Sequence, residues 1–255
     1  MNKELRRKYI LNHLDKFDSI NIQNIVEKYG VSEITARRDL GMLESEGLLV
    51  RTHGGAIRSE ITNGMFGFND KSIENRDNKI EICRYASTFI VENDTIYIDC
   101  GTTTYYLSRF LSKFRSLRVI TNSLPVVADL IPYSNIKVYL LGGELDNSHK
   151  ALYGPMTESL ISRYKADKAF IGAGGVSIAN GLSSSLEKDA SVTVKMAEAS
   201  RKVFLLCDSS KIEKDSYFTY SSLSLVNYLI TDKYVDPNLI ELYKSNKVNL
   251  VTPIL

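Results

Sequence analysis

The chain has 255 residues, enough for one large domain or for a small domain joined to a medium one. Hydrophobic residues make up 44% and charged residues 24%, the balance of an ordinary globular protein. No run of about 18 apolar residues occurs, which excludes a membrane-spanning helix. The formal net charge is only +2, and the excess lies in residues 1–58, which hold 10 Lys/Arg against 8 Asp/Glu. A case for nucleic acid as partner therefore rests on where individual arginines stand.

Cys83, Cys100 and Cys207 are odd in number and widely spaced, without a C-x-x-C pair. That argues against a disulfide framework or a zinc site and fits a reducing cytoplasm. The opening residues, Met1 to Arg7, lack the apolar core of a secretory signal. No metal and no cofactor are expected.

The first 57 residues read as three short helices and a hairpin. Ile10, Leu14 and Phe17 follow i, i+4, i+7 spacing and predict one apolar stripe. Asn21 is a suitable N-cap for a second helix with Ile22, Ile25, Val26 and Tyr29 on one face, and Gly30 is placed to end it with positive φ. Ser32 caps a third helix with Ala36, Leu40 and Leu43 inward and Gly47 just past its end. Two helices joined through Gly30-Val31-Ser32 have helix-turn-helix order. Then Leu48 to Thr52 and Ala56-Ile57 flank His53-Gly54-Gly55, a small wing.

Residues 59–77 carry Ser59, Asn63, Gly64, Gly67, Asn69 and Asp70 with little periodicity and read as a linker. From residue 78 to 255 strands and helices alternate. Apolar runs fall at 95–99, 117–121, 136–141, 168–173, 202–207, 226–231 and 247–252, with helical stretches at 78–92, 103–113, 151–164 and 187–200. The expectation is a Rossmann-like α/β domain with a mostly parallel sheet covered by helices. The whole is then a winged helix-turn-helix at 3–58, a linker, and a larger α/β domain.

At 100° per residue, Ile34, Arg38 and Gly41 lie opposite the buried face of the third helix, with Thr35 and Arg37 on its flanks. Such a helix enters the major groove with its N-terminal half, where arginines fork onto guanine or bind phosphate and Ile34 meets a thymine methyl. Arg51, His53, Gly54 and Gly55 on the wing, with Ser32 at the turn, complete the candidate DNA contacts. The bland alternative makes Arg37-Arg38-Asp39 a solvated helix face. The order of capped helix, Gly turn, capped arginine helix and Gly-Gly hairpin favours DNA.

Val31-Ser32-Glu33, Thr35, Arg37-Arg38-Asp39-Leu40, Leu43, Glu46-Gly47, Arg51 and His53-Gly54-Gly55-Ala56 together resemble the DeoR-type family of transcriptional regulators. The resemblance implies a DNA-binding repressor acting on carbohydrate metabolism.

Downstream, Asp99-Cys100-Gly101-Thr102-Thr103-Thr104 follows an apolar strand. Gly101 permits a tight turn, and the hydroxyls with the backbone N–H groups of a following helix offer an anion site. The alternative is that the threonines only cap that helix. Asn122-Ser123, Gly142-Gly143 and Asp208 with Lys211 follow other strand ends, where ligands collect in open α/β sheets. Gly172-Ala173-Gly174-Gly175 is not a dinucleotide loop, because the third glycine of G-x-G-x-x-G falls on Ser177.

Asp99 to Thr104, Thr121 to Pro125, Leu141 to Leu145, Gly154-Pro155, Asp167 to Ala173 and Asp208 with Ser210-Lys211 resemble the sensor domain of the same family. The resemblance spans about 3 to 235 and implies a sugar-phosphate ligand and a fold related to ribose-phosphate isomerases. One recognition helix covers only a half-site, so a symmetric homo-oligomer, dimer or tetramer, is expected. Two positions depart from the family pattern: Gly174 replaces the usual acid of the Gly-Ala-Asp-Gly turn, and Thr193 replaces a common Lys. An isomerase needs a positioned carboxylate as general base, and Gly174-Gly175 removes it from that turn. An isomerase-like enzyme fused to a DNA-binding head is the rival reading.

Overall fold

The computed structural model describes residues 3–17, 19–45, 48–58 and 74–253. Gly47 and most of the expected linker lie outside the described residues. The chain divides into two compact units, Met1–Gly67 and Phe68–Leu255.

The first unit runs α1 (Lys3–Phe17), β1 (Ser19–Asn21), α2 (Ile22–Tyr29), α3 (Glu33–Ser45), β2 (Leu49–Thr52) and β3 (Gly55–Arg58). Local chemistry sets the boundaries. Asn21 and Asn24 form a reciprocal capping box, Gly30 takes φ 60°, and the Ser32 hydroxyl accepts from the Thr35 N–H at 3.3 Å. Ile10, Leu14, Ile25, Ala36, Leu40, Leu43 and Leu49 close the core. Phe17 corrects the expected stripe, being 63% exposed at the end of α1. The sequence reading also missed β1. Its three residues pair antiparallel with β3, Ile20 opposite Ala56, to give the order β1-β3-β2.

The second unit opens with α4 (Arg76–Ala86), so Arg76 and Asp77 belong to a helix rather than to the linker. Its main sheet is built from β4 (Thr95–Ile98), β5 (Leu117–Thr121), β6 (Ile136–Leu140), β9 (Ala166–Ile171), β12 (Ser200–Leu206), β14 (Tyr228–Ile230) and β15 (Leu250–Val251). The remaining strands are β7 (Glu144–Asp146), β8 (Ala151–Tyr153), β10 (Gly175–Ser177), β11 (Gly181–Ser184) and β13 (Phe218–Ser221). The helices are α5 (Leu124–Leu130), α6 (Pro155–Arg163), α7 (Glu187–Glu198) and α8 (Pro237–Ser245).

Among the described residues the main sheet has order β15-β14-β12-β9-β4-β5-β6, and each pairing is parallel. Period-two alternation decides which core each side chain joins. Ile96 and Ile98 pack with Ile82 and Cys83 of α4 and Val126 and Leu130 of α5. Tyr97, between them, packs with Ile161 of α6, Val192 and Met196 of α7 and Tyr243 of α8. Two expected helices differ. Residues 104–110 form a 3₁₀ helix of seven residues, and 151–164 begin with β8 before α6 starts at Pro155.

After β4 the chain steps outward to β5 and β6, then returns to the other side of β4 with β9. The connections from β4 and β9 leave in opposite directions and open a crevice at their carboxyl ends. In open α/β sheets ligands bind at such a switch point.

Candidate functional sites

On α3, Ile34 is 79% exposed, and Arg37 and Arg38 also face solvent. Arg37 pairs loosely with Glu33 one turn earlier, at 3.6 Å, whereas Arg38 makes no ion pair among the described residues. Ser32 and Thr35 bond to each other through their hydroxyls at 3.0 Å. Arg51 on the wing lies 3.8 Å from Glu44, and a Cβ at Gly41 would stand in ordinary contact with its guanidinium at 3.5 Å. His53 and Gly54 are exposed at the hairpin turn. Gly55 instead faces inward, since a Cβ there would stand 2.0 Å from the Ile20 carbonyl oxygen.

The reading of Arg37-Arg38-Asp39 as one solvated face fails at Asp39. Its carboxylate is buried and takes a forked ion pair from Arg6 on α1, Nε to Oδ2 at 2.6 Å and Nη2 to Oδ1 at 3.2 Å. The carboxylate raises the Arg6 pKa further above its ordinary value. Asp39 is one residue from Arg38, so the pair fixes the rotation of the exposed face about the helix axis.

At the switch point of the second unit lies a cavity of about 140 Å³. Of the residues expected from sequence, it brings together Asp99, Gly101, Thr102, Thr103 and Lys211. Asp99 is a scaffold as much as a wall. Its buried carboxylate accepts from the Gly101 N–H at 2.9 Å, the Gly172 N–H at 2.5 Å and the Thr104 hydroxyl, tying the β4 loop to the β9 loop. Burial raises the Asp99 pKa, and these three donors oppose the rise.

The other expected positions serve the framework. Thr104 turns inward to Asp99, fully buried. Asn122 donates to the Leu152 carbonyl at 3.1 Å, and Ser123 caps α5. Thr157 donates to the Gly142 carbonyl at 2.7 Å, and a Cβ at Gly143 would stand 2.4 Å from the Tyr153 carbonyl oxygen. Asp208 is buried and accepts from the Asn75 amide at 3.1 Å and the Ser210 N–H at 3.2 Å. The expected helix N-terminus is a short 3₁₀ turn, so the threonine side chains, not a helix dipole, remain as donors.

Thr103 is 2% exposed and lines the cavity, yet its hydroxyl has no hydrogen-bond partner among the described residues. An orphaned buried hydroxyl at a cavity wall calls for a ligand or water. Lys211 donates to the Ala173 carbonyl at 3.0 Å, and Lys79 on α4 donates to the Thr102 hydroxyl at 3.4 Å. Burial and the charge of Lys211 push the Lys79 ammonium down to about 8, against the pull of Asp208 and Glu74. Lys211 lines the cavity, whereas Lys79 is outside the lining and reaches it through its bond to Thr102.

Sequence reasoning missed Lys79. The signal was present: Lys79, Ile82, Cys83 and Ala86 share the buried face of α4, and a lysine inside an apolar stripe needs a reason. It also missed His149, Ser184, Ser185, Asp189 and Tyr220, which line the cavity from loops distant in sequence. Asp189 accepts from the Tyr153 hydroxyl, and Cys100 Sγ lies 3.2 Å from that same oxygen. Burial raises the Cys100 thiol well above its ordinary value, so it stands as a neutral thiol. Gly174 and Thr193 both line the cavity, and a Cβ at 174 would stand 3.0 Å from Ser216 Oγ.

This is a helix-turn-helix head joined to an α/β unit with a cavity at its switch point. Residues 6–62 match the DeoR-like helix-turn-helix domain, and residues 74–233 match the DeoR C terminal sensor domain. The chain belongs to the DeoR family of helix-turn-helix transcription regulators, and it is a regulator rather than an enzyme. It is 33% identical to the HTH-type transcriptional repressor GlcR of Bacillus subtilis, over 98% of this chain and 96% of that protein. It is 36% identical to the lactose phosphotransferase system repressor of Staphylococcus epidermidis, over 91% and 93%. With the HTH-type transcriptional regulator GlpR of Haloferax volcanii the identity is 31%, over 96% of each. The ribose 5-phosphate isomerase A of Methanocaldococcus jannaschii aligns at a TM-score of 0.41 and 19% identity, over 55% of this chain and 56% of that one, a likeness too slight to carry function.

Proposed function

We propose that this protein is a cytoplasmic repressor of a carbohydrate-metabolism operon, released from its operator by a phosphorylated sugar. Residues 3–58 form the reading head, the segment after it links, and the α/β unit senses. The observation that carries the reading is the cavity at the β4–β9 switch point, where Thr102 and the orphaned Thr103 hydroxyl stand beside Lys79 and Lys211. Hydroxyl donors flanked by two ammonium groups suit a phosphate dianion, and the polar far wall around Asp189 and Ser184 suits sugar hydroxyls. One recognition helix covers only a half-site, so the protein works as a symmetric dimer or tetramer on a repeated operator.

The test is a mobility-shift titration on the DNA upstream of its own gene, with and without a panel of aldose and ketose phosphates. One member of the panel should release the DNA and raise the melting temperature of the free protein. If none does either, the effector reading falls. In the same assay Arg38→Ala should lose about 1–3 kcal/mol on operator and little on random DNA. Equal loss on both would make Arg38 a phosphate contact.

A further inference from the structure

Strand β6 stands at one end of the main sheet and pairs with β5 alone, so its outer edge has no partner strand among the described residues. The Leu141 N–H bonds back to the Thr121 carbonyl on β5 at 2.8 Å, which by alternation turns the backbone groups of Val138 and Leu140 outward. Natural sheet edges are blunted by shortness, proline, bulges or charge. At the opposite end β15 is only two residues long, whereas β6 runs for five without a proline and leaves Tyr139 and Leu140 exposed. Helix α5 packs beside β6 and is apolar on both faces. Val126 and Leu130 enter the core, and its one charged residue, Asp129, turns inward to Ser108. Leu124, Val127, Ala128 and Ile131 follow i, i+3, i+4, i+7 spacing yet lie outside both cores of the described residues, with Ile131 74% exposed. A helix that is hydrophobic all round belongs in an interior.

We propose that α5 and the edge of β6 form the interface between two copies of this chain, with β6 pairing antiparallel to β6 of the second copy about a two-fold axis at Val138. This rests on the symmetric-oligomer reading above and names the surface that builds the oligomer.

The surface is complementary to itself. A two-fold axis normal to the sheet makes the paired edge strands antiparallel and keeps each face of the sheet continuous, so the outward stripes of the two α5 helices meet on one side. With the axis at Val138, each Val138 exchanges both backbone bonds with the other, and the Leu140 N–H meets the Ile136 carbonyl. The Ile136 N–H is already held by the Tyr133 carbonyl at 3.1 Å and asks for nothing. Lys137 then stands directly opposite Tyr139, where an ammonium can rest on the ring. An axis at Lys137 would set like charges opposite one another, and an axis at Tyr139 would shorten the overlap of the two strands. Two chains joined in this way carry two reading heads, as a repeated operator requires.

The experiment uses the full chain and reads its mass by sedimentation at micromolar concentration. Val127→Glu/Ile131→Glu sets like carboxylates against each other across the axis. It should lose one two-fold contact, falling from dimer to monomer or from tetramer to dimer, while its circular-dichroism spectrum stays that of wild type. Should that variant fail to fold, Ile131→Glu alone takes its place with the same expectation, since that side chain stands mostly in solvent. The register is read by cross-linking. Coexpressed Lys137→Cys and Tyr139→Cys chains should form a covalent dimer under mild oxidation that neither forms alone, because only the mixture brings two thiols directly opposite. Wild type, with Cys83, Cys100 and Cys207, sets the background. A wild-type oligomer that the glutamate variant leaves intact overturns this interface and spares the oligomer reading. A mixture that cross-links no better than its single components overturns the pairing at Val138. If wild type is a monomer both free and on operator DNA, the oligomer reading fails, and this inference with it.

Discussion

The pair between Arg6 and Asp39 offers the sharpest test of how the DNA head is held together. Both side chains are 8% exposed, so the relevant comparison is a buried ion pair, not a surface pair contributing about 0–1 kcal/mol. Arg6→Met leaves the Asp39 carboxylate buried without its cation, and breaking such a pair costs about 3–5 kcal/mol. A head of some 60 residues has a total stability of roughly 3–9 kcal/mol at 0.05–0.15 kcal/mol per residue. The single substitution therefore removes a third of the margin at least, and at the upper end all of it. Calorimetry of the full chain should show a low-temperature transition shifted down or lost and the sensor transition unmoved, with operator binding falling in parallel. The double variant Arg6→Met/Asp39→Leu removes both charges and should regain most of the loss, because apolar replacement of a buried pair is close to neutral. A single-variant cost under 1 kcal/mol, or a double variant no better than the single, would refute the assignment.

The two buried threonines should part company. Thr104→Val strips a donor from the buried Asp99 carboxylate and should lower stability by about 1–3 kcal/mol, whereas Thr103→Val removes a hydroxyl without a partner, melts as wild type and binds sugar phosphate more weakly; identical melting curves for the two would sink this distinction. Gly55→Ala places a Cβ against the Ile20 carbonyl, so wing pairing and operator affinity should fall together, and an unchanged circular dichroism melt with full DNA binding would contradict it. Lys79, held at about 8 by burial and by Lys211 with Asp208 and Glu74 opposing, predicts a pH profile. The anion binds the protonated lysine, so affinity should fall by up to about tenfold per pH unit above that value, and Lys79→Met should lose the inflection. Without ligand the sign reverses: the depressed lysine penalises the fold while charged, and stability from this group rises as pH climbs from about 8 toward 10.5. Effector affinity in wild type that stays flat to pH 9.5 would remove Lys79 from the site.

The head was legible because its boundaries are written in local chemistry: Asn21, Gly30 and Ser32 act through their own side chains or backbones within a few residues. β1 was not legible, since three residues give no periodicity and the pairing of Ile20 with Ala56 is 36 positions away. The buried role of Asp39 was not legible for a related reason. On a helical wheel it sits beside two exposed arginines, and only the approach of Arg6 from another helix buries it. In the sensor unit the apolar runs marked the strands of the main sheet, because strands buried on both faces read as continuous hydrophobic stretches. The site was half legible. Thr102, Thr103 and Lys211 follow strand ends and were found, whereas His149, Asp189 and Tyr220 come from a hairpin, a helix turn and an edge strand whose convergence only the fold creates.

Coupling between two ligand sites typically amounts to about 1–3 kcal/mol. Lys79 and Lys211 repel each other, which helps to lower the Lys79 pKa, and on the proposed reading a dianion bound beside them relieves that repulsion. It is also a term that appears in one state and not the other, which is what a ligand must supply to shift an equilibrium. Reciprocity then follows: if sugar phosphate weakens operator binding by some factor, saturating operator DNA weakens sugar-phosphate binding by that same factor. Because the driving term is electrostatic and partly buried, added salt should weaken the protein–DNA contact far more steeply than it weakens the effector response.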